Sequence, residues 1–293
     1  MDDKQWLADR FQEQRPHLRA VAYRLLGSLS EADDALQEAW LRIGRSDASG
    51  VENLGGWLTT VVARVSLNML RARKAKREEP LEERMPDPIV SSPDGADPEQ
   101  HALIADAVGL ALLVVLETLA PAERLAFVLH DMFAVPFDEI ASITGRSPAA
   151  ARQLASRARR RVQGQAPVPD PDLARQRQVV DAFSAAADQG DFDALLAVLD
   201  PDIVLRSDGG PQRPEDSVVI RGARAVAERA VTFARLSPYA RPALVNGAVG
   251  AVVAPDGRPF AVIGFTVTNG RIVEIDILSD PVRLSGLELS GLA

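Results

Sequence analysis

The sequence predicts a multidomain chain in which two all-α modules are followed by an α+β domain. Three observations favour it. Apolar residues recur at helical spacing through the first part of the chain, a helix-turn-helix pattern surrounds Gly145, and apolar residues alternate in the last third. Helices followed by an antiparallel sheet are typical of the α+β class. The predicted boundaries are a helical module at 1–77, a linker at 78–100, a second helical module at 101–165, a linker at 166–174 and the α+β domain at 175–293.

Three helices are predicted within residues 1–77. The first runs from Trp6 to Leu26, the second is capped by Ser30, and the third runs from Leu54 to about Arg77. The third helix begins apolar and ends in the basic run RARKAKRE. Such a helix suits a polyphosphate partner, although the helix dipole favours cations at a solvated C terminus equally well.

The stretch from Pro136 to Arg161 predicts two helices joined by a tight turn. Gly145 supplies a turn residue with positive φ, Ser147 is a good N-cap, and Pro148 fits the first helical position. The second helix carries an arginine-rich outer face, which is the form that enters a DNA major groove. The alternative is an αα-hairpin with a solvated basic face.

The rest of the second helical module and the two linkers have contrasting compositions. Residues 102–119 are strongly apolar and predict the first core helix of that module. Residues 78–100 are rich in proline and acid, which predicts an extended, partly polyproline-like linker, and residues 166–174 predict a second linker.

The C-terminal third predicts two helices and a strand, a further helix from Arg221 to Ala234, and then antiparallel strands. Hairpin turns are predicted at Pro255-Asp256-Gly257 and Thr268-Asn269-Gly270.

Composition restricts the chemistry. Cysteine is absent and the three histidines are scattered, so we expect no metal and no cofactor, and the chain suits a reducing cytoplasm. The sequence contains no long apolar run or signal peptide, so we expect no membrane contact. The net charge is −8, so the positive charge needed for DNA must be concentrated locally, as it is in the two arginine clusters.

Two stretches carry a family resemblance. EADDALQEAWLR, followed by GGWLTTVVARVSLNMLRARKAKRE, resembles region 2 of the extracytoplasmic-function (ECF) sigma factors of bacterial RNA polymerase. ETLAPAERLAFVLHDMFAVPFDEIASITGRSPAAARQLASRARRRV resembles their region 4. A transposase or a one-component repressor would match only the second stretch.

The resemblance implies partners and site residues. Region 2 would dock on the β′ clamp helices of core polymerase through Asp33, Asp34, Gln37, Glu38 and Trp40. It would melt and hold the −10 element with the loop Ser46–Asn53 and with Arg64, Asn68, Arg71, Arg73, Lys74 and Arg77. Region 4 would read the −35 element through Arg146, Ser147, Ala150, Arg152, Gln153 and Arg157. Trp57 is the nearest aromatic to the −10 surface, and we interpret it as a core residue.

Composition alone predicts only a passive tether between the two modules. The resemblance implies a segment that threads toward the polymerase active site and the RNA exit path. Met85-Pro86-Asp87-Pro88 resembles a proline-containing motif of sigma factors that carry an extra C-terminal domain.

In the C-terminal domain, the run DQGDFDALLAVLDPDIV is followed by Arg221-Gly222 and by hairpin-connected strands ending in IVEIDI. This pattern resembles the SnoaL-like branch of the NTF2-like cone fold, a curved sheet wrapped on helices around a pocket. Asp208-Gly209-Gly210 and the tail Ser279-Asp280-Pro281-Val282-Arg283-Leu284 resemble motifs of the sigma-J type of sigma factor, in which this domain is fused to the sigma core. We expect regulatory or pocket residues at Asp208, Gly209, Gly210, Asp276, Asp280 and Pro281. Asp208 or Asp276 could serve as a general base, but a role in a turn or at a strand end is favoured, since the domain has no histidine partner.

The preferred hypothesis is therefore a promoter-specific initiation factor with a built-in regulator. Its partners would be the β′ and β subunits of core RNA polymerase, promoter DNA and a small ligand of the C-terminal domain, with an intramolecular contact between the C-terminal domain and the sigma modules. The alternatives are a SnoaL-like enzyme or ligand-sensing domain fused to a DNA-binding module, and a plain helix-turn-helix repressor.

Overall fold

The computed structural model describes residues 3–44, 51, 53–76, 85–93, 109–287 and 289. The chain divides into two compact units. One comprises Met1–Glu82 and Val115–Gln165, and the other comprises Glu83–Val114 and Ala166–Ala293. The boundary within the second helical module falls inside one helix, after Val114.

The described residues of the first unit form helices joined by short turns and loops, with no strand among them. Its helices are α1 (Asp3–Leu26), α2 (Leu29–Ile43), α3 (Leu54–Lys76), the C-terminal end of α4 (Leu110–Glu117), α5 (Pro121–Phe127), α6 (Phe137–Thr144) and α7 (Pro148–Gln165). A π-helical turn, Val128–Met132, follows α5. The core is built from leucines on the inner faces of the first three helices: Leu18, Leu25, Leu36, Leu58 and Leu67 are all at most 1% exposed.

The turn and one of the two helix caps predicted for this unit are present in the structure. The helix-turn-helix is confirmed: Gly145 ends α6 with φ +69°, and the Ser147 hydroxyl accepts a hydrogen bond from the backbone N–H of Ala150. The predicted cap of α2 is wrong. Ser28 is the N-cap and accepts from the N–H of Glu31, while the Ser30 hydroxyl lies 3.0 Å from that of Ser28. Serine is a favoured N-cap residue at either position, so the sequence does not distinguish Ser28 from Ser30. The extended backbone conformation of Ser28 makes it the N-cap.

The second unit is an α+β domain, as predicted. Its helices are α8 (Leu173–Gln189), α9 (Phe192–Val198), α10 (Ala223–Phe233) and α11 (Pro281–Ser285). Its strands are β1 (Val90–Ser91), β2 (Leu199–Asp208), β3 (Val218–Arg221), β4 (Ala240–Val245), β5 (Ala248–Val253), β6 (Ala261–Thr268) and β7 (Arg271–Leu278).

The strands form a single sheet in the order β1-β4-β5-β6-β7-β2-β3. Both predicted hairpins are present, joining β5 to β6 and β6 to β7. A third hairpin was missed. Asn246 and Gly247 both have positive φ, and they join β4 to β5 in the manner of a type I′ turn. The strands after α10 pair antiparallel as predicted, and β2 adds one parallel pairing, with β7.

Among its described residues, the second unit contains two hydrophobic clusters. The larger combines α8 to α10 with one face of the sheet around Leu195, Ile203, Val226 and Val267. The smaller includes Met85, Val90 and Leu110, which come from residues before the domain, together with residues of β4 to β7 and the C-terminal segment. A sheet with helices packed against one face is the architecture expected for an NTF2-like cone.

Candidate nucleic-acid interface and linker clasp

The outer face of α7 carries the side chains expected to read DNA. Arg146, Ser147, Arg152, Gln153 and Arg157 are exposed, and Ala150 is half-buried. The opposite face of the helix is anchored by the four buried residues Ala151, Leu154, Ala155 and Ala158. Small residues on that face bring α7 close to its neighbours and leave the polar face free for a groove.

The arginine run at the C-terminal end of α7 is partly paired within the unit. Glu123 pairs with Arg157 at 3.2 Å and with Arg161 at 3.4 Å, and Asp131 pairs with Arg159 at 2.7 Å. These arginines are 40% to 54% exposed, so each pair contributes little stability and can exchange for a phosphate. The pairs hold the arginines in position along the helix.

A polar stripe lies along α3. Arg64, Asn68 and Arg71 are exposed at helical spacing, and Lys74 is exposed one turn further on. Arg77 and most of the loop Ser46–Asn53 lie outside the described residues, and Trp57 is half-buried. The stripe offers cations and one amide on a single face, as a surface for single-stranded phosphates requires.

Arg73 differs from the other candidates on α3 because it is engaged within the unit. Its guanidinium contacts Glu31, donates to the carbonyl of Leu26 at 3.0 Å, and lies 3.5 Å from Glu117. Glu117 also pairs with the buried Arg124 at 2.8 Å. This network joins α3 to α4 and α5, and it was not visible in sequence because its members are up to about a hundred positions apart.

The acidic face of α2 is only partly available to a partner. Asp34, Gln37 and Glu38 are exposed, whereas Asp33 accepts two hydrogen bonds from Arg19. Trp40 is half-buried, and its ring lies 5.1 Å from that of Phe11.

Sequence reasoning missed Leu41 on the same helix, which is 58% exposed. It lies four positions after Gln37, so it extends the exposed face by one helical turn. Leu41 therefore adds an apolar side chain to the exposed acidic and polar face of α2.

The linker segment is built into the second unit. Residues 85–90 are all buried, and β1 pairs with β4, with Val90 opposite Val245. Ile89 and Asn246 exchange two hydrogen bonds: the Ile89 N–H donates to Asn246 Oδ1, and the Asn246 N–H donates to the Ile89 carbonyl.

Three charged residues lock this segment, and we call Asp87, Asp208 and Arg283 the linker clasp. Arg283 donates to Asp87 at 2.6 Å, to Asp208 at 2.7 Å and to the carbonyl of Met85 at 2.5 Å. Asp208 also accepts from the N–H of Met85 at 3.1 Å. All three side chains are at most 14% exposed. Hydrogen bonds between ionised groups at such low exposure are strong and specific.

The expected motif residues of the C-terminal domain converge beside the clasp. The Ser279 N–H donates to the Asp208 carbonyl, and Asp280 caps α11 by accepting from the N–H of Val282. Gly210 has φ +65°, and a Cβ there would overlap the carboxylate of Asp280. Gly209 likewise has no room for a Cβ, which would meet the carbonyl of Arg213. Pro281 is the first residue of α11.

Asp276 lies apart from the clasp, on β7. Arg206 donates to it at 3.2 Å and to Glu274 at 2.9 Å. Burial raises the pKa of Asp276 to about 7, with the nearby Glu274 adding to the increase and Arg206 opposing it. Among the described residues, Glu274 Oε2 has no hydrogen-bond partner.

A cavity of about 200 Å³ opens between the helices and the sheet of the second unit. None of the six expected pocket residues lines it. Ile275 and Ile277 line the cavity, so the strand alternation turns Asp276 to the opposite face. Asp208 is held in the linker clasp instead. Within the described residues, no cluster of three or more acidic or histidine side chains could hold a metal ion, and no helix is long and apolar enough to cross a membrane.

Comparisons with known proteins fit this arrangement. Residues 11–76 match the family model for Sigma-70 region 2, and residues 109–162 match that for Sigma-70 region 4. The ECF RNA polymerase sigma factor SigJ of Mycobacterium tuberculosis is 38% identical across 95% of this chain and 93% of its own length. A probable ECF sigma factor of the same species, SigI, is 34% identical across 94% of this chain and 95% of its own length.

The likeness extends to a solved structure. The crystal structure of Mycobacterium tuberculosis SigJ superimposes with a TM-score of 0.79 at 36% identity, covering 97% of this chain and all of that one. The two helical modules, the helix-turn-helix and the C-terminal α+β domain therefore recur together in one family. The chain belongs to the extracytoplasmic-function family of RNA polymerase sigma factors, whose role is transcription initiation.

Proposed function

We propose that this chain binds core RNA polymerase through α2 and directs it to promoters through α3 and α7, while its C-terminal domain restrains the linker between them. The polymerase surface would consist of Asp34, Gln37, Glu38 and Leu41, which are all exposed. The −10 contact would use Arg64, Asn68, Arg71 and Lys74, with Arg73 and Arg77 as further members. The −35 contact would use Arg146, Ser147, Arg152, Gln153 and Arg157, with Ala150 close to the bases.

One observation carries the regulatory part of the proposal: residues 85–90 are buried in the C-terminal domain and locked by the linker clasp. In a sigma factor this segment connects the module for the −10 element to the module for the −35 element. A segment held as a strand of the C-terminal sheet cannot at the same time thread into polymerase. The clasp would therefore hold the factor in a restrained state, and its release would favour initiation.

The helical unit supports a restrained state independently. Arg73 and Arg124 share Glu117, and Arg64 donates to the carbonyl of Ser142 on α6 at 3.4 Å. These contacts hold α3 against the helices of region 4. Promoter binding would require Arg64 to leave its carbonyl partner for a phosphate.

We further propose that the C-terminal domain catalyses no reaction and that the protein acts in the cytoplasm, where core polymerase is found. The charged groups lining the cavity are Asp188, Asp216 and Arg229, and they lie at exposed or half-exposed positions. A general base needs a position inside the cavity within hydrogen-bond reach of a substrate. Neither Asp208 nor Asp276 is among the residues that line the cavity.

Co-elution with core polymerase tests the assignment of the α2 surface. The double variant Asp34→Arg with Glu38→Arg should weaken binding by at least tenfold, because it reverses the charge of the exposed face. Glu13→Arg on α1, where Glu13 is 58% exposed, is the matched control and should bind as the wild type does. Equal binding by both variants would reject the surface.

A further inference from the structure

The cavity of the C-terminal domain has apolar walls and a polar mouth. Its volume is about 200 Å³, and it lies between α8, α10 and one face of the sheet. Four of the nine phenylalanines of the chain line it, together with two isoleucines of the sheet that remain half-exposed toward it: Phe183, Phe233, Phe260, Phe265, Ile263 and Ile277.

The size of the cavity limits its occupant. An engineered protein cavity of about 150 Å³ with aliphatic and aromatic walls stays dry and binds benzene. The present cavity is somewhat larger and is similarly lined. An empty apolar cavity destabilises a domain relative to a filled one, so an occupant of matching shape would be held by burial of its rings.

The polar groups of the walls define one recognition point. Three of the cavity serines have partners in the chain: Ser184 donates to the Val180 carbonyl, Ser237 to Asp188, and Ser279 to the Asp208 carbonyl. Ser207 on β2 is half-exposed at the cavity wall, and its hydroxyl makes no hydrogen bond to another described residue, so it is open to a ligand or to water. It projects from the same face of β2 as Leu205, which is part of the apolar wall.

Charge at the mouth disfavours an anionic ligand. Asp188 and Asp216 stand against the single cation Arg229, so the formal charge of the lining is −1. Arg229 is already stacked on Phe233, with its guanidinium carbon 4.4 Å from the ring centroid. A carboxylate inside would be buried among phenylalanines without a dedicated cation, which is costly.

We propose that this cavity binds an uncharged molecule of one or two fused rings with one hydroxyl or carbonyl group that pairs with Ser207. Binding would stabilise the C-terminal domain by mass action, and the domain also holds the linker clasp. The inference deepens the proposed regulatory role, but ligand binding is measurable on the free chain without polymerase or DNA. Its failure therefore leaves the role of the clasp standing, and the reverse also holds.

Titration calorimetry of the full chain with three probes of the same ring size tests the proposal. We expect 2-naphthol to bind, naphthalene to bind about fivefold more weakly because it lacks the hydrogen bond, and 2-naphthoate to bind at least tenfold more weakly because of its charge. Ser207→Ala should remove the preference for naphthol over naphthalene and leave naphthalene binding unchanged. The absence of naphthol binding at about 1 mM, or equal binding of naphthoate, would overturn the proposal.

A matched pair of substitutions on α10 locates the site. Ala230 lines the cavity, whereas Ala225 is exposed on the same helix. Ala230→Leu should fill the space and lower naphthol affinity at least tenfold, and Ala225→Leu should leave it unchanged. Equal loss in both variants would show that the probe binds elsewhere. If Ala230→Leu fails to fold, the Ser207→Ala comparison alone decides.

Discussion

The guanidinium of Arg283 donates a 2.6 Å hydrogen bond to the carboxylate of Asp87, which lies 196 positions earlier in the chain. The contact joins the final helix of the C-terminal domain to the linker between the two sigma modules. Because Arg283 also holds Asp208 and the Met85 carbonyl, one side chain connects the linker, the Asp208-Gly209-Gly210 motif and the C-terminal segment. The linker is therefore a structural part of the C-terminal domain, although the second helical module lies between the two in the sequence.

Removing Arg283 should release the linker. Arg283→Ala removes the Arg283 cation from the buried carboxylates of Asp87 and Asp208, and breaking a buried pair from one side costs about 3 kcal/mol of domain stability. Hydrogen exchange should report the release as faster exchange at the N–H groups of Met85 and Ile89, which are donors in the folded domain. Arg224→Ala, at an arginine that is 81% exposed in the same domain, is the control. Unchanged protection in Arg283→Ala would show that β1 pairing suffices without the clasp.

Gly210 should be far less tolerant of a side chain than another glycine of similar backbone conformation. Gly210 and Gly257 have φ of +65° and +71°, but only Gly210 faces the Asp280 carboxylate, while Gly257 faces open space. An alanine in the left-handed region costs about 1 kcal/mol on backbone grounds alone. We expect that loss in Gly257→Ala and about 3 kcal/mol in Gly210→Ala, measured by urea unfolding of the domain. Equal losses would mean that the loop moves away from Asp280 at no cost.

Stability of the C-terminal domain should depend on pH through Asp276. Its folded pKa is raised from 3.8 to about 7, so between these pH values the folded domain keeps a proton that the unfolded chain releases. The contribution of this group is therefore complete below about pH 4 and is lost as pH rises toward 7, by at most about 1.4 kcal/mol per pH unit. In urea unfolding from pH 5 to pH 8, Asp276→Asn should lack this slope, and Asp256→Asn at an exposed turn should retain it. Parallel profiles for wild type and Asp276→Asn would contradict the assignment.

Arg71 should contribute to promoter opening without affecting polymerase binding. It is exposed on α3, so Arg71→Ala removes one cation from the proposed −10 surface and leaves the fold intact. We expect a several-fold decrease in permanganate-reactive thymines at the promoter, with unchanged co-elution with core polymerase. Arg10→Ala, at a 51% exposed arginine of α1, is the control. Loss of both properties together would contradict the separate assignment of α2 and α3. Adding Arg73→Ala should also destabilise the helical unit, because Arg73 pairs with Glu31 and Glu117.

The features predicted correctly from sequence depend mainly on neighbouring residues, whereas contacts between distant residues were missed. The turn at Gly145 and the cap at Ser147 depend on neighbours a few positions away, and both were predicted correctly. The pairing of Val90 with Val245 and the hydrogen bond of Arg283 to Asp87 join residues more than 150 positions apart, so composition indicated only a linker. Arg73 illustrates the same limit, because an arginine in a basic run gives no sign of a distant Glu117. A pocket was expected in this domain, but its lining was missed, since the lining comes from many separate elements, whereas the expected pocket residues were acidic and glycine motif residues.

Run-off transcription with core polymerase tests most directly the central claim, that the C-terminal domain restrains the factor by holding its linker. Wild type, Arg283→Ala and Arg224→Ala would be compared at equal occupancy of core enzyme on one promoter template. We predict several-fold more promoter-dependent transcript from Arg283→Ala than from wild type, with Arg224→Ala equal to wild type. The claim would be contradicted if Arg283→Ala, with its linker shown by hydrogen exchange to be released, transcribed no more than the wild type.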